Sequence, residues 1–178
     1  AYTPGGLAGQ RPDYAVTVYS TILKQLFPDV PVVIGGIEAS LRRFSHYDYW
    51  SDSYKKSVLI DSHADLLVYG MGERPMVAVA EALQEGKKVS ELTEIPQTAY
   101  VTKTLEHCSR KPVMLHSYED CLKNKVLDAK NFRIIEEQSN VWDAERLAQQ
   151  YGNEYVVINE PYPTITTEEL DAIYALPY

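Results

Sequence analysis

The 178-residue sequence is poor in three things: cysteine, positive charge and long hydrophobic runs. Its two cysteines, Cys108 and Cys121, are too few for a disulfide framework or an iron–sulfur cluster, and this low usage fits a reducing cytoplasm. The net charge of −8 argues against nonspecific nucleic-acid binding, which needs a basic face. No apolar run approaches the length of a membrane span, and residues 1–12 lack the apolar stretch of a signal peptide. We therefore expect a cytoplasmic protein that binds neither nucleic acid nor membranes, possessing at most a small local basic pocket.

The first half of the chain predicts helices alternating with buried strands. Apolar residues at three- and four-residue spacing predict a helix at 13–27, which Asp13 would cap. Continuous β-branched and apolar runs predict strands at 31–34 and 65–70, each leading into glycines. A helix from Pro75 to about 85 follows the second strand. This order predicts an α/β fold with a partial doubly wound parallel sheet.

Two stretches of this half are described by finer predictions. The buried face of the first helix would contain Ala15, Val18, Tyr19, Ile22, Leu23 and Leu26. Residues 37–52 predict no regular element, and residues 53–61 predict a short amphipathic helix with Lys55 and Lys56 directed outward.

The second half has a less regular pattern and predicts a mixed α/β extension. We divide the chain into an α/β subdomain at 1–96 and this extension at 97–178. The predicted elements of the extension are strands at 98–102 and 155–159 and helices at 117–139, 143–151 and 167–176, the last capped by Thr166 or Thr167.

The densest group of polar and aromatic residues follows the first predicted strand. In open α/β sheets, ligands bind outside the carboxyl ends of the strands, so this segment is the first candidate for a substrate pocket. A histidine there can serve as an acid, a base or a metal ligand, although the spacing matches no zinc pattern. The alternative is that the charges pair with one another while the aromatic rings pack the domain edge. The candidates are Glu38, Arg42, Arg43, His46, Tyr47, Asp48 and Trp50.

The two glycine turns form a second candidate site. In a parallel sheet, the turns after both strands lie at the same edge and can form the floor for a ligand or for a neighbouring domain. They match neither the spaced glycine fingerprint of a dinucleotide site nor a phosphate-binding loop, and simple turn chemistry is the alternative. The residues concerned are Gly35, Gly36, Gly70, Gly72 and Glu73.

Several motifs carry a resemblance to known proteins. The runs VVIGGIEAS at 32–40 and DLLVYGMGE at 65–73 resemble the later half of the cobalamin-binding-like (flavodoxin-like) domains that precede the barrel in many radical S-adenosylmethionine (SAM) enzymes. Together with other motifs, they make the whole chain resemble the YgiQ-type family of uncharacterised radical SAM proteins. These motifs are YTPGG at 2–6, RPD at 11–13, GGIEASLRR at 35–43, HYDYWSD at 46–52, YVV at 155–157 and YALPY at 174–178.

The resemblance implies a 4Fe-4S cluster and SAM in the full-length protein, held by a Cys-x-x-x-Cys-x-x-Cys triad. This sequence contains no such triad, and in the family the YALPY stretch lies shortly before it. We therefore expect an N-terminal accessory region that holds no cofactor or metal itself and is not catalytic alone. The lack of an Asp-x-His-x-x-Gly motif, which supplies the lower axial histidine in cobalamin domains, argues against cobalamin binding.

Two functional hypotheses follow from these patterns. In the first, the chain packs its glycine turns and the 38–52 segment against the radical SAM barrel of the same full-length protein and shapes the substrate pocket. In the second, it is a stand-alone module that binds a nucleotide or a corrinoid at the glycine turns. An autonomous hydrolase or metalloenzyme is the weakest reading, because no nucleophile–base pair or ligand set emerges. The substrate and the oligomeric state are left open.

Overall fold

The computed structural model of the protein describes residues 5–177, so the motif residues Tyr2, Thr3, Pro4 and Tyr178 lie outside the described part. The helices are α1 (Ala15–Leu26), α2 (Gly36–Leu41), α3 (Val58–Ser62), α4 (Glu73–Gln84), α5 (Tyr118–Lys123), α6 (Lys125–Ser139) and α7 (Thr167–Tyr174). The strands are β1 (Val33–Ile34), β2 (His46–Asp48), β3 (Ser53–Lys55), β4 (Leu66–Val68), β5 (Thr98–Thr102), β6 (Val113–Met114), β7 (Leu147–Tyr151) and β8 (Glu154–Ile158).

Six strands form one mixed sheet in the order β1-β4-β5-β8-β7-β6, while β2 and β3 form a separate antiparallel hairpin. The pairs β1–β4 and β6–β7 are parallel, and the other three pairs are antiparallel. The α/β class is thus confirmed. The parallel arrangement predicted for the first two buried strands is present in β1–β4, but β4 continues into an antiparallel ladder with β5.

Helices and loops cover both faces of the sheet. Leu67 and Val156 belong to a core covered by α1, α3 and α6, whereas their strand neighbours Leu66 and Val157 belong to a second core under α4. This alternation follows from the two-residue period of a strand. Both faces are buried, which explains why β4 and residues 156–158 of β8 are continuously apolar rather than alternating.

Buried polar side chains in the second half of the sheet find partners within the fold. The side chain of Arg146, at the start of β7, is only 1% exposed. Its Nη1 and Nη2 atoms donate to the two carboxylate oxygens of Glu94 at 2.9 and 3.0 Å, and its Nε donates to Glu160 at 3.2 Å. Such bidentate pairing compensates the desolvation of the guanidinium group.

The first predicted helix forms, but two details predicted for it are wrong. Tyr14, not Asp13, is the N-cap residue, and it makes no side-chain capping bond. The apolar face is largely exposed: Val18 is 37% exposed, Tyr19 48%, and Leu26 65%. Periodicity identifies an apolar face but does not determine whether another element of the fold covers it.

Tertiary pairing overrides two other helix predictions. Residues 53–55 form strand β3 because they pair with β2, and the short helix α3 begins only after Ser57, which caps it by accepting a hydrogen bond from the Leu59 N–H. Residues 147–151, predicted as part of a helix at 143–151, form β7, which pairs with β6 on one side and β8 on the other. In the strand, Leu147 and Ala148 point to opposite faces of the sheet and pack in the two different cores. A short amphipathic helix has one apolar face and could contribute to only one of them.

The remaining predictions fare better. The long helix predicted at 117–139 is present but interrupted at Asn124, whose side chain accepts from the Val126 N–H and starts α6. Strands β5 and β8 match the predicted strands. Of the two residues predicted to cap α7, Thr166 is the N-cap, and it forms a capping box with Glu169. Across residues 5–177, the longest and most apolar helices fall short of what crossing a membrane requires.

Candidate functional site

The two glycine turns meet at one edge of the sheet, which we call the glycine edge (Gly35–Gly36 and Gly70–Gly72). They meet because β1 and β4 are parallel neighbours. The Ser40 hydroxyl accepts a hydrogen bond from the Gly70 N–H at 3.1 Å and so ties the turns together. Gly36 and Gly70 have φ values of +79° and +67°, a region that other L-residues rarely adopt. The structure therefore brings together the turns that the sequence predicts to converge.

Large apolar side chains lie exposed on the segments that form this edge. Ile37 and Leu41 occupy one face of α2 and are 81% and 73% exposed. Met71, beside Gly70, is 51% exposed. Exposed apolar groups are normal when scattered singly, but a group at one edge is typical of an interaction surface.

The predicted ligand residues after β4 also border a small cavity. Gly70 and Glu73 line a cavity of about 290 Å³ together with Arg74 and Tyr162. Arg74 pairs with Glu169 of α7, which brings the end of the chain over this turn. Gly72 is the N-cap residue of α4.

The two consecutive arginines of the 38–52 segment point into different surroundings. Arg42 forms an ion pair with Glu38, with Nη1 3.2 Å from Oε1. The Arg43 guanidinium lies between the rings of Phe44 and Tyr69, at 4.9 Å from each centroid, and its Nη1 donates to the Ser40 carbonyl. Burial lowers the pKa of Arg43, and its Nε has no hydrogen-bond partner among the described residues.

The hairpin β2–β3 positions the other candidates of this segment. Asp48 is 3% exposed and accepts hydrogen bonds from the hydroxyls of Ser51 and Tyr14, both at 2.5 Å. These bonds hold the pKa of Asp48 at about 2, well below its usual value. Asp48 therefore anchors the hairpin to the start of α1 through Oδ2, which accepts from the Tyr14 hydroxyl and from both the hydroxyl and the N–H of Ser51.

His46, Tyr47 and Trp50 are more accessible than Asp48. Burial lowers the pKa of His46, so the imidazole is neutral at pH 7. His46 and Tyr47 line a cavity of about 600 Å³ between the 41–47 segment and α6. Trp50 is 76% exposed, and its ring packs on that of Tyr49 at 5.2 Å.

A larger cavity, which we call the basic cavity, opens on the other side of the hairpin. Its volume is about 620 Å³, and α1, β3, α3 and α5 contribute to its walls. Arg42 and His46 line it, as predicted candidates, and so do Lys55 and Lys56. The sequence analysis missed both lysines because it placed them on the outward face of a helix. Only the packing of α1 and α5 across the hairpin turns them inward, and no local pattern encodes that packing.

The described residues do not provide a ligand set for a metal or a cluster. Between residues 5 and 177, no three His, Cys, Asp or Glu side chains come together in a way that could hold a metal ion. Cys108 packs beside the core under α4, whereas Cys121 is buried near Asn131 of α6. An iron–sulfur cluster does not fit this part of the chain.

Comparison with known proteins assigns the family. The model that describes radical SAM N-terminal domains matches residues 1–178, so the chain belongs to the radical SAM N-terminal family. Its relatives are UPF0313 proteins, the group of YgiQ-type radical SAM proteins, which confirms the resemblance found in the sequence. No solved structure matches the chain.

Three relatives show how much of the longer proteins this chain represents. It is 49% identical to a UPF0313 protein of Bacteroides thetaiotaomicron, over 100% of this chain and 31% of that protein. It is 48% identical to a UPF0313 protein of Porphyromonas gingivalis, over 100% of this chain and 28% of that protein. It is 44% identical to a UPF0313 protein of Clostridium botulinum, over 99% of this chain and 27% of that protein. The chain therefore spans less than a third of the length of these relatives.

Proposed function

We propose that the chain is the N-terminal accessory domain of a radical SAM iron–sulfur enzyme of unknown substrate, and that it helps to form the substrate pocket. Its membership of the radical SAM N-terminal family supports this role. So does its coverage of 31% of the first relative, which leaves more than two thirds of such a protein to supply a catalytic barrel. The cluster and SAM would be held by that remainder, because the described residues offer no ligand set.

The observation that carries the proposal is the exposed apolar surface of the glycine edge. Ile37, Leu41 and Met71 would be costly to leave in water at one place, and a partner surface of the same full-length chain would bury them. The side chains that would then face the pocket are those of the 38–52 segment. Tyr47 and Trp50, which are 58% and 76% exposed, are the most accessible of them.

We further propose that the β1–β4 half of the fold is a reduced cobalamin-binding-like unit. The parallel β1–β4 pair, with both strands ending in glycine turns, supports this relationship. In this unit the glycine edge occupies the position where doubly wound folds bind ligands. In the accessory domain, the barrel would take the place of that ligand.

The test uses the full-length protein, purified without oxygen and assayed for iron, sulfide and cleavage of SAM to 5′-deoxyadenosine. The double variant Ile37→Ser/Leu41→Ser should retain its cluster but lose most of the SAM cleavage, because the domain no longer seats against the barrel. The matched control is Leu122→Ser/Val126→Ser, which removes two similarly exposed apolar side chains from α5 and α6. It should behave as wild type.

Two results would contradict the proposal in different ways. Equal activity of the edge variant and wild type would show that the glycine edge is not the docking surface. If the full-length chain binds no cluster, the radical SAM role is wrong, and the ligand-binding module becomes the leading hypothesis.

A further inference from the structure

The basic cavity has the size and position of a ligand site separate from the glycine edge. Its volume of about 620 Å³ lies within the range of small-molecule sites. It opens between α1, the hairpin and α5, whereas the glycine edge lies at the ends of β1 and β4. A site here therefore goes beyond the accessory role.

The charge of the lining differs in sign from that of the whole chain. Arg42, Lys55 and Lys56 contribute three permanent cations, and Asp61 is the one carboxylate in the lining. The charges of the lining residues sum to +2, or to +1 when the Glu38 carboxylate paired with Arg42 is included, within a chain whose net charge is −8. In an acidic protein, carboxylates are available to pair with most positive groups. A cavity whose lysines are nevertheless unpaired has a positive potential and attracts an anionic ligand.

The two lysines are held in place without being neutralised. The Nζ of Lys55 lies 5.8 Å from the centre of the Tyr14 ring, and the Nζ of Lys56 lies 5.7 Å from the centre of the Tyr118 ring. Within residues 5–177, neither ammonium group forms an ion pair. The rings attract the ammonium groups through their quadrupoles and leave the charge available. Tyr14 adjoins α1 and Tyr118 belongs to α5, so the lysines are held against two different walls.

The lining favours a phosphate group over a carboxylate. A phosphate monoester carries a charge of about −1.5 to −2 at pH 7 and three strong acceptor oxygens, so it can interact with both unpaired lysines at once. Lysines bind phosphate as point charges, and the lining hydroxyl of Thr17 can donate a further hydrogen bond. The cavity is much larger than one phosphate group, so the ligand also carries a second phosphoryl group or an organic part.

We propose that the basic cavity binds a phosphate-bearing small molecule and that the ammonium groups of Lys55 and Lys56 bind its phosphate group. Arg42 contributes a third positive charge while remaining paired with Glu38. Such a ligand would stabilise the packing of α1 and α5 on the hairpin, because the residues that bind it come from separate parts of the chain.

The test measures binding to the full-length protein by isothermal titration calorimetry, with pyrophosphate, ADP and adenosine as probes. Wild type should bind pyrophosphate or ADP but not adenosine. The variant Lys55→Gln/Lys56→Gln should bind about tenfold more weakly or not at all, because it loses both point charges. The matched control is Lys87→Gln/Lys88→Gln, which neutralises an adjacent pair of exposed lysines outside the cavity. It should bind as wild type, and far-UV circular dichroism should show all three proteins folded.

The probes also distinguish the sources of the phosphate. Tighter binding of ADP than of pyrophosphate identifies a nucleotide ligand, and equal binding shows that the phosphate groups suffice. The proposal is overturned if wild type binds neither phosphate probe, or if the Lys55/Lys56 variant binds as tightly as the control. The readout requires no cluster, so lysine-dependent binding to a protein that lacks a cluster would support this site while contradicting the radical SAM role.

Discussion

The cluster around Arg146 and the basic cavity show two ways in which one fold places cations away from bulk water. Arg146 is almost fully buried, and all three of its described contacts are charge-assisted hydrogen bonds to Glu94 and Glu160. Lys55 and Lys56 are half-buried and contact aromatic rings rather than carboxylates. The first arrangement is complete within the domain, whereas the second leaves positive charge unused. The comparison suggests that the first cation stabilises the fold and the other two are available to a ligand.

The largest expected effect is on the complete arrangement. The substitution Arg146→Met keeps the volume of the side chain but leaves the carboxylates of Glu94 and Glu160 without their partner. Breaking a buried ion pair costs about 3–5 kcal/mol, and we expect the lower end because the Glu94 side chain is 43% exposed. Urea denaturation of the 178-residue chain measures the loss.

The control for this prediction is Arg133→Met, which breaks the exposed pair with Glu137 on α6. Exposed pairs contribute about 0–1 kcal/mol, so this variant should unfold close to wild type. Equal losses in the two variants would show that Arg146 has no special structural role and would remove the basis of the comparison.

An intermediate effect is expected at Asp48, which lies beside the basic cavity and whose Oδ2 accepts hydrogen bonds from Tyr14 and Ser51. Hydrogen bonds from Ser51 and Tyr14 lower the pKa of Asp48 from 3.8 to about 2. Because the folded state holds this carboxyl deprotonated more strongly than the unfolded state, its contribution to stability is complete above about pH 5. It is lost as the pH falls through about 2.

The measurement is the difference in unfolding free energy between wild type and Asp48→Asn, which should shrink from about pH 5 to about pH 2.5. The same difference for Asp143→Asn, at an exposed position, should not show this trend. A constant difference for Asp48→Asn would mean that the bonds to Tyr14 and Ser51 do not favour the charged carboxylate.

The smallest effect on stability is expected for Lys55→Gln/Lys56→Gln. Each lysine loses a cation–π contact worth about 0.5–1 kcal/mol at an exposed site, and the removal of repulsion between positive charges partly offsets that loss. Urea denaturation without added phosphate should therefore place the variant within about 1 kcal/mol of wild type. A loss as large as that of Arg146→Met would show that the lysines are structural and would weaken the phosphate proposal.

Local patterns in the sequence were sufficient for the elements whose structure depends on near neighbours. The strands β1 and β4 and their glycine turns follow from short apolar runs that end in residues able to adopt positive φ. The capping box before α7 depends on Thr166 and Glu169 alone. The motifs distributed along the chain, taken together, were also sufficient to indicate the radical SAM family, which the comparison with known proteins confirms.

Contacts between distant parts of the chain decided the rest. Residues 147–151 form a strand because β6 and β8 provide hydrogen-bond partners on both sides. The spacing of apolar residues within the segment carries no information about these distant strands. The apolar face of α1 is exposed although its periodicity predicts burial, because no other helix or strand among the described residues packs over it. The basic cavity exists only where α1 and α5 meet the hairpin. Thus the sequence by itself determined the family, the glycine turns and the cap of α7, whereas tertiary packing determined which charged side chains face each other and which lack a partner.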